Sequence, residues 1–300
     1  LTSGPAQSEN VGLQVTALGS GEFSAMLRSG GLPGAGYDRR EHPKYQGHRQ
    51  GNKVVFTTYP TRIVVDGSQA VITDDRFSTF EQGRLTKTHR QSPTLGMAPP
   101  ACATVLFDGT NTDYFEGGRI DDEGLLMEGT LLKPTYRNYR LHLEFRLPYM
   151  PTARDQGRAN SGVYLQSRYE VQILDSFGLD PVYNNIGALY KQRPADLNMG
   201  LPPLTWQTYD IDFAAPKFDA NGEKIKNAKI TVRLNGVAVH DDVDILTKTG
   251  AGKPEGPEPL PIRLQDHRNP VRFRNIWIVD YGDNPPPKSV PCGGCGCVTC

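Results

Sequence analysis

In Tyr139-Arg-Leu-His-Leu-Glu-Phe-Arg-Leu147 every second side chain is apolar or aromatic, and the residues between them are Arg140, His142, Glu144 and Arg146. A β-strand sends alternate side chains to opposite faces, whereas a helix scatters such a pattern around its circumference. The segment therefore reads as a strand with one face on a core and one polar face. Runs of strand character recur at 12–18, 22–27, 53–57, 62–65 and 69–73, then at 103–107, 125–128, 162–166, 169–174, 207–213, 229–234, 237–240, 262–265 and 271–279. Asp66-Gly67 and Asn235-Gly236 stand between such runs and predict hairpins, the second of type I′. The 32 Gly, 24 Pro and 37% apolar residues suit many short strands joined by tight turns better than a helical bundle. The expected fold class is all-β: an antiparallel sandwich over 101–281 preceded by a small β-rich domain over 11–92.

Around these units lie a polar extended arm at 1–10, a proline-stiffened linker at 93–100 and a Pro/Gly/Cys-rich tail at 282–300. The Gly-rich run 30–36 is a loop rather than a phosphate cradle, since no Lys-Ser/Thr pair or helical pattern follows it. Asp108-Gly-Thr-Asn-Thr-Asp113 reads as a turn, its Gly109 lying too early for an EF-hand.

Lys+Arg and Asp+Glu balance at 33 each, so no net field draws the chain to nucleic acid or to an anionic membrane. No apolar run approaches the ~20 residues of a membrane span. Four of the five cysteines, Cys292, Cys295, Cys297 and Cys300, crowd the last nine residues, a density that suits an oxidising compartment. Export is expected on that ground, and a chain starting at Leu1 without Met suggests a leader already removed. If the first and last sandwich strands pair, Cys102 lies near the exit of the chain and a disulfide to one of the tail cysteines is expected. Zinc in Cys-x-x-Cys-x-Cys-x-x-Cys ranks second, the spacings being very short for one tetrahedral site.

Alternation groups the polar candidates. His142, Glu144 and Arg146 share a face, Glu170 and Gln172 share a face, and Arg272 and Arg274 share a face. Asn160-Ser-Gly-Val-Tyr-Leu-Gln, Tyr169-Glu-Val-Gln-Ile-Leu-Asp175, Trp206-Gln-Thr-Tyr-Asp and Gln265-Asp-His-Arg-Asn-Pro-Val-Arg-Phe-Arg-Asn-Ile276, preceded by Leu106-Phe-Asp-Gly109, resemble the 3-keto-disaccharide hydrolase family over about 101–281. Two departures stand out: Arg268 follows His267 where the family often has Gly, and Tyr114-Phe115 replaces a Trp after the first turn.

The resemblance implies a concanavalin A-like jelly roll, a bacterial secreted, periplasmic or cell-surface location, and a carbohydrate partner, a 3-oxidised glucoside. A 3-keto sugar has an acidified C2 proton, so a base can start elimination of the C1 substituent while an acid assists departure. Glu144 and Glu170 are the candidate base and acid, His267 the candidate for proton transfer or metal ligation, and Arg146 or Arg272 for the developing oxyanion. Asn160, Gln172, Asp175 and Gln265 are expected to bind sugar hydroxyls. A divalent metal held by Glu and His is the cofactor class this chemistry admits, although no short metal motif marks it. Against each stands a plainer role: Glu and Arg two apart on a strand usually form a solvated face, and His267 suits a turn equally well. A different class of function is a carbohydrate-binding module or the subunit of an extracellular filament. In the filament the arm 1–10 and the Cys tail would engage the next protomer head to tail.

Overall fold

The computed structural model describes residues 10–40, 43–76 and 81–287. Its first unit is a seven-stranded meander, each strand pairing antiparallel with the next: β1 (Val11–Gly19), β2 (Glu22–Ser29), β3 (Lys44–Gln50), β4 (Lys53–Thr58), β5 (Thr61–Asp66), β6 (Gln69–Asp74) and β7 (Glu81–Thr86). The sheet curls on a small core of Ala25, Tyr45, Val54, Phe56, Ile63, Ala70 and Ile72. The hairpin joining β5 to β6 forms as the sequence suggests, with Gly67-Ser68 as the two-residue loop.

The larger unit is a two-sheet sandwich with the strand pairing of a jelly roll. Its strands are β8 (Thr104–Phe107), β9 (Phe115–Glu116), β10 (Leu126–Met127), β11 (Thr130–Leu132), β12 (Asn138–Arg146), β13 (Ser161–Leu165), β14 (Tyr169–Ile173), β15 (Trp206–Ala214), β16 (Lys217–Phe218), β17 (Lys224–Lys226), β18 (Ala228–Leu234), β19 (Val237–Ile245), β20 (Arg263–Leu264) and β21 (Arg272–Gly282). One sheet has seven strands in the order β10-β21-β12-β15-β18-β19, with β8 also on β21; the other has five, β14-β13-β20-β11-β9. A separate two-stranded ribbon pairs β16 with β17. The expected pairing of first and last strands is present, Phe107 opposite Ile276 and Thr104 opposite Ile278. At the β18–β19 hairpin Asn235 and Gly236 both have positive φ, as type I′ requires.

Leu141, Leu143, Phe145, Tyr209, Ile211 and Phe213 of the larger sheet meet Val163, Leu165, Tyr169, Val171 and Ile173 of the smaller in one buried cluster. Tyr209 crosses the interior to donate its hydroxyl to the Gln172 carbonyl at 2.6 Å, and the Tyr169 and Phe213 rings lie 5.6 Å apart. Every residue that alternates with these core positions therefore faces away from the sandwich centre, on one exterior or the other.

The two units touch along β1. Its carbonyls accept from the larger unit, Ala17 from Arg158 Nη2 (3.2 Å) and Leu18 from Arg154 Nη2 (2.7 Å), while Thr16 Oγ1 donates to the Phe177 carbonyl (3.1 Å).

Candidate functional site

The polar exterior of the seven-stranded sheet is closed by the segment read as a linker. Gly96 N–H donates to Glu144 Oε1 (2.6 Å), Thr94 Oγ1 donates to Asp210 Oδ2 (2.8 Å), and the Met97 carbonyl accepts from Asn275 (3.1 Å) and Trp277 (3.3 Å). Under this strap His142 Nδ1 lies 2.7 Å from Asp210 and its ring stacks on Trp277. Glu144 is ion-paired to Arg274 at 2.7 Å. Burial alone would raise the Glu144 carboxyl, but hydrogen bonds from His142, Asn275, Arg274 and the Gly96 amide bring it down to about 2. Such a carboxylate is a fixed anion with every lobe engaged, and a poor proton acceptor.

The five-stranded sheet presents a different exterior. Register places Glu170, Tyr164, Arg263, Leu131 and Glu116 in one row across its five strands. The next row holds Gln172, Gly162 and Gln265, with Gln265 N–H on the Gly162 carbonyl at 2.9 Å. The Glu170 side chain fills the gap that Gly162 leaves between the two amides. A Cβ built there would lie 2.5 Å from Glu170 Oε1, so that oxygen sits directly over the glycine. Glu170 Oε2 accepts from the Tyr164 hydroxyl at 2.7 Å, and the Arg263 guanidinium lies 4.0 Å from the Tyr164 ring centre.

Burial pushes the Glu170 carboxyl up to about 7, against the opposing pull of the Tyr164 hydrogen bond and the Arg263 charge. Burial, then the charge and hydrogen bond of Glu170, raise the Tyr164 phenol well above its ordinary value, so it stays a donor. At the end of the gap, Asn160 Nδ2 donates to the Gln156 carbonyl (2.7 Å) and Gln172 Nε2 to Gln156 Oε1 (2.9 Å).

Among the described residues six buried side-chain atoms have no hydrogen-bond partner, and four of them belong to this exterior: Asn160 Oδ1, Gln172 Oε1, Gln265 Oε1 and Arg263 Nε. An unpaired buried polar atom costs ~1–3 kcal/mol and such atoms are rare in folded chains. Glu170, Gln172, Asn160 and Tyr164 are each 2% exposed or less, so three acceptors and one N–H donor beside a carboxylate near neutrality form a buried polar cluster whose donors and acceptors complement a polyhydroxylated ring.

The structure thus brings together Glu170, Gln172, Asn160 and Gln265 and leaves the other expected site residues elsewhere. Glu144 is on the opposite exterior, as are Arg146, paired with Glu123 (2.9 Å), and Arg272, held by Asp121 (2.6 Å) and Glu128 (2.8 Å). Asp175 is consumed in a buried pair with Arg158 at 2.7 Å and presents nothing to a ligand. His267 is exposed in the turn after Gln265. That turn leaves the sheet at the Asn160 end, where Asn269 Oδ1 accepts from Asn160 N–H at 2.7 Å. Alternation along Gly162-Val-Tyr164 and Arg263-Leu-Gln265 carried the signal for Tyr164 and Arg263, which sequence reasoning passed over; nothing local marked Gln156.

The donor set does not fit the divalent metal allowed for from sequence. Among the described residues no group of three or more His, Cys, Asp or Glu side chains converges, and the neighbours of Glu170 are a phenol, a guanidinium and amides. Cys102 is exposed, while its expected partners Cys292, Cys295, Cys297 and Cys300 lie outside the described residues, as does the arm 1–9. No helix among the described residues is long and apolar enough to cross a membrane.

Comparison with known proteins locates the similarity in the larger unit. Residues 102–279 match the 3-keto-alpha-glucoside-1,2-lyase-like domain. A protein of Parabacteroides distasonis ATCC 8503, whose crystal structure is described as that of a "putative glycosyl hydrolase", is 31% identical with a TM-score of 0.55, over 60% of this chain and 84% of that one. A second chain of that description and organism is 25% identical over 59% of this chain and 98% of its own, with a TM-score of 0.42. No curated protein matches the sequence.

Proposed function

The chain belongs to the 3-keto-alpha-glucoside-1,2-lyase-like domain family, and from that membership we propose that the exterior of its five-stranded sheet binds a 3-keto-glucoside and cleaves it by elimination across C1 and C2. Glu170 is the base. It takes the C2 proton, and the C–H electron pair forms a C2–C3 enolate with its charge on the C3 oxygen. The enolate then collapses, restoring the C3 carbonyl, forming the C1–C2 double bond and expelling the C1 oxygen with its bonding pair. A base with its pKa near the working pH balances availability against driving force, and Glu170 at about 7 meets that requirement.

Arg263 supplies the fixed positive charge for the enolate oxygen, and its unpartnered Nε is the donor available to it. Gln172, Gln265 and Asn160 receive the ring hydroxyls. The proton that the departing oxygen needs is the one Glu170 has taken from C2. The observation that carries this reading is the concentration of unsatisfied polar atoms around one carboxyl of raised pKa. Export fits it, because the cysteine-rich end suits an oxidising compartment.

The test is turnover of a 3-keto-α-glucoside by the full chain and by Glu170→Gln. The variant keeps the shape and loses the base, so kcat should drop by about 10²–10⁴-fold, with an enone product detectable in the wild-type reaction. Turnover by Glu170→Gln within threefold of wild type refutes the assignment.

A further inference from the structure

The family match covers 102–279 and leaves the seven-stranded meander without a role. Its contact with the sandwich is not a generic surface. Arg28 of β2 is 3% exposed, yet its guanidinium is spent across the junction as well as within its own sheet. Within the small unit Nε donates to Gln14 Oε1 (3.2 Å), Nη1 donates to the Tyr37 hydroxyl (3.1 Å), and the charge lies 4.9 Å from the Tyr37 ring centre. Across the junction Nη2 donates to the Gly178 carbonyl (3.2 Å) and Nη1 pairs with Asp180.

The segment Arg28 grips leads into the site. The Asp180 carbonyl accepts from Asn185 Nδ2 at 2.9 Å. The neighbouring Asn184 carbonyl accepts from Gln156 Nε2 (2.9 Å) and Gln172 Nε2 (3.4 Å), and Gln156 Oε1 accepts from Gln172 Nε2. These bonds occupy the amino end of the Gln172 side chain and so turn its unpartnered oxygen, Oε1, outward from that cluster. A planar fork filling four partners at once is a role that a flexible point charge does not reproduce.

We propose that the small β unit is a working part of the ligand site, in which Arg28 is a positioning residue that holds the 177–185 loop and, through Asn184 and Gln156, orients Gln172. The inference builds on the assignment of this exterior as the sugar site, while the mechanical link from Arg28 to the loop can be measured without any substrate. A loop tied to a second sheet has fewer conformations for ligand binding to quench.

The experiment uses the full chain and its Arg28→Ala and Arg28→Lys variants. Amide hydrogen exchange is read first, and turnover of a 3-keto-α-glucoside second. Exchange at 177–190 should rise about tenfold or more in Arg28→Ala while amides of β18 keep wild-type protection, and Arg28→Lys should recover part of it. In turnover, KM should rise about tenfold with kcat changed less than threefold, the opposite of the kcat loss expected for Glu170→Gln. Unchanged exchange at 177–190 in Arg28→Ala, or a uniform rise across both sheets, overturns the proposal. An unchanged KM in an active variant overturns it as well. If the wild type turns over no 3-keto-glucoside, the sugar chemistry is wrong, and the exchange data alone still uphold or overturn the link from Arg28 to the loop.

Discussion

Replacing Glu170 by Gln should make the protein more stable above neutral pH while lowering the turnover proposed for it. In the unfolded chain the carboxyl titrates near 4.5, and in the fold burial moves it to about 7. A group whose folded pKa is raised contributes its full stability below the unfolded value, and that contribution is lost as pH rises through the folded one. Each factor of ten in proton affinity is worth ~1.4 kcal/mol, so ionised Glu170 costs the fold roughly 3 kcal/mol at pH 8 and almost nothing at pH 4. Gln is neutral at both, with an oxygen for the Tyr164 hydroxyl that now bonds Glu170 Oε2 at 2.7 Å. Urea unfolding of wild type and variant at pH 4 and pH 8 measures the difference. With a slope of ~2 kcal/mol per M, the variant's midpoint should exceed wild type by roughly 1–1.5 M at pH 8 and by little at pH 4. Equal offsets at the two pH values would mean that Glu170 is not held in the low-dielectric setting the catalytic argument requires. The same titration should appear in turnover, with kcat/KM rising through an apparent pKa about 7 as the base deprotonates.

Glu144→Gln breaks the pair with Arg274 and weakens the hold on Gly96, so stability at pH 7 should fall by about 2 kcal/mol, with turnover unchanged within threefold. Because its carboxyl is depressed to about 2, this wild-type advantage is present above pH 4.5 and should fade as pH falls toward 2, readable in acid denaturation curves. Gly162→Ala puts a methyl 2.5 Å from Glu170 Oε1 and should cut turnover at least tenfold in a chain that still folds; full activity would show that Glu170 Oε1 does not work over that glycine. Non-reducing peptide mapping should find Cys102 joined to one of Cys292, Cys295, Cys297 or Cys300, and recovery of Cys102 as a free thiol would end that proposal.

Alternation along the chain was enough to show that Glu170 and Gln172 share a face, that His142 and Glu144 share another, and that these strands turn their apolar side to a shared core, while burial of the polar side as well came only with the fold. The shared faces are properties of a two-residue backbone period and of short turns such as Asn235-Gly236, and both are written locally in the residues. Which polar faces meet is not local. Glu144 and Glu170 look equivalent as acids on strands, yet β12 and β14 belong to different sheets, so the two carboxylates end on opposite exteriors. The Ser92–Pro100 run looks like a spacer until Glu144, Asp210 and Trp277, distant in sequence, supply its partners. Asp175 looks like a ligand group until Arg158 is folded against it. Pairing between strands a hundred residues apart is decided by closing the whole core at once, and that cooperative choice, rather than any one segment's preference, put Glu170, Tyr164, Arg263 and the three amides in one buried cluster.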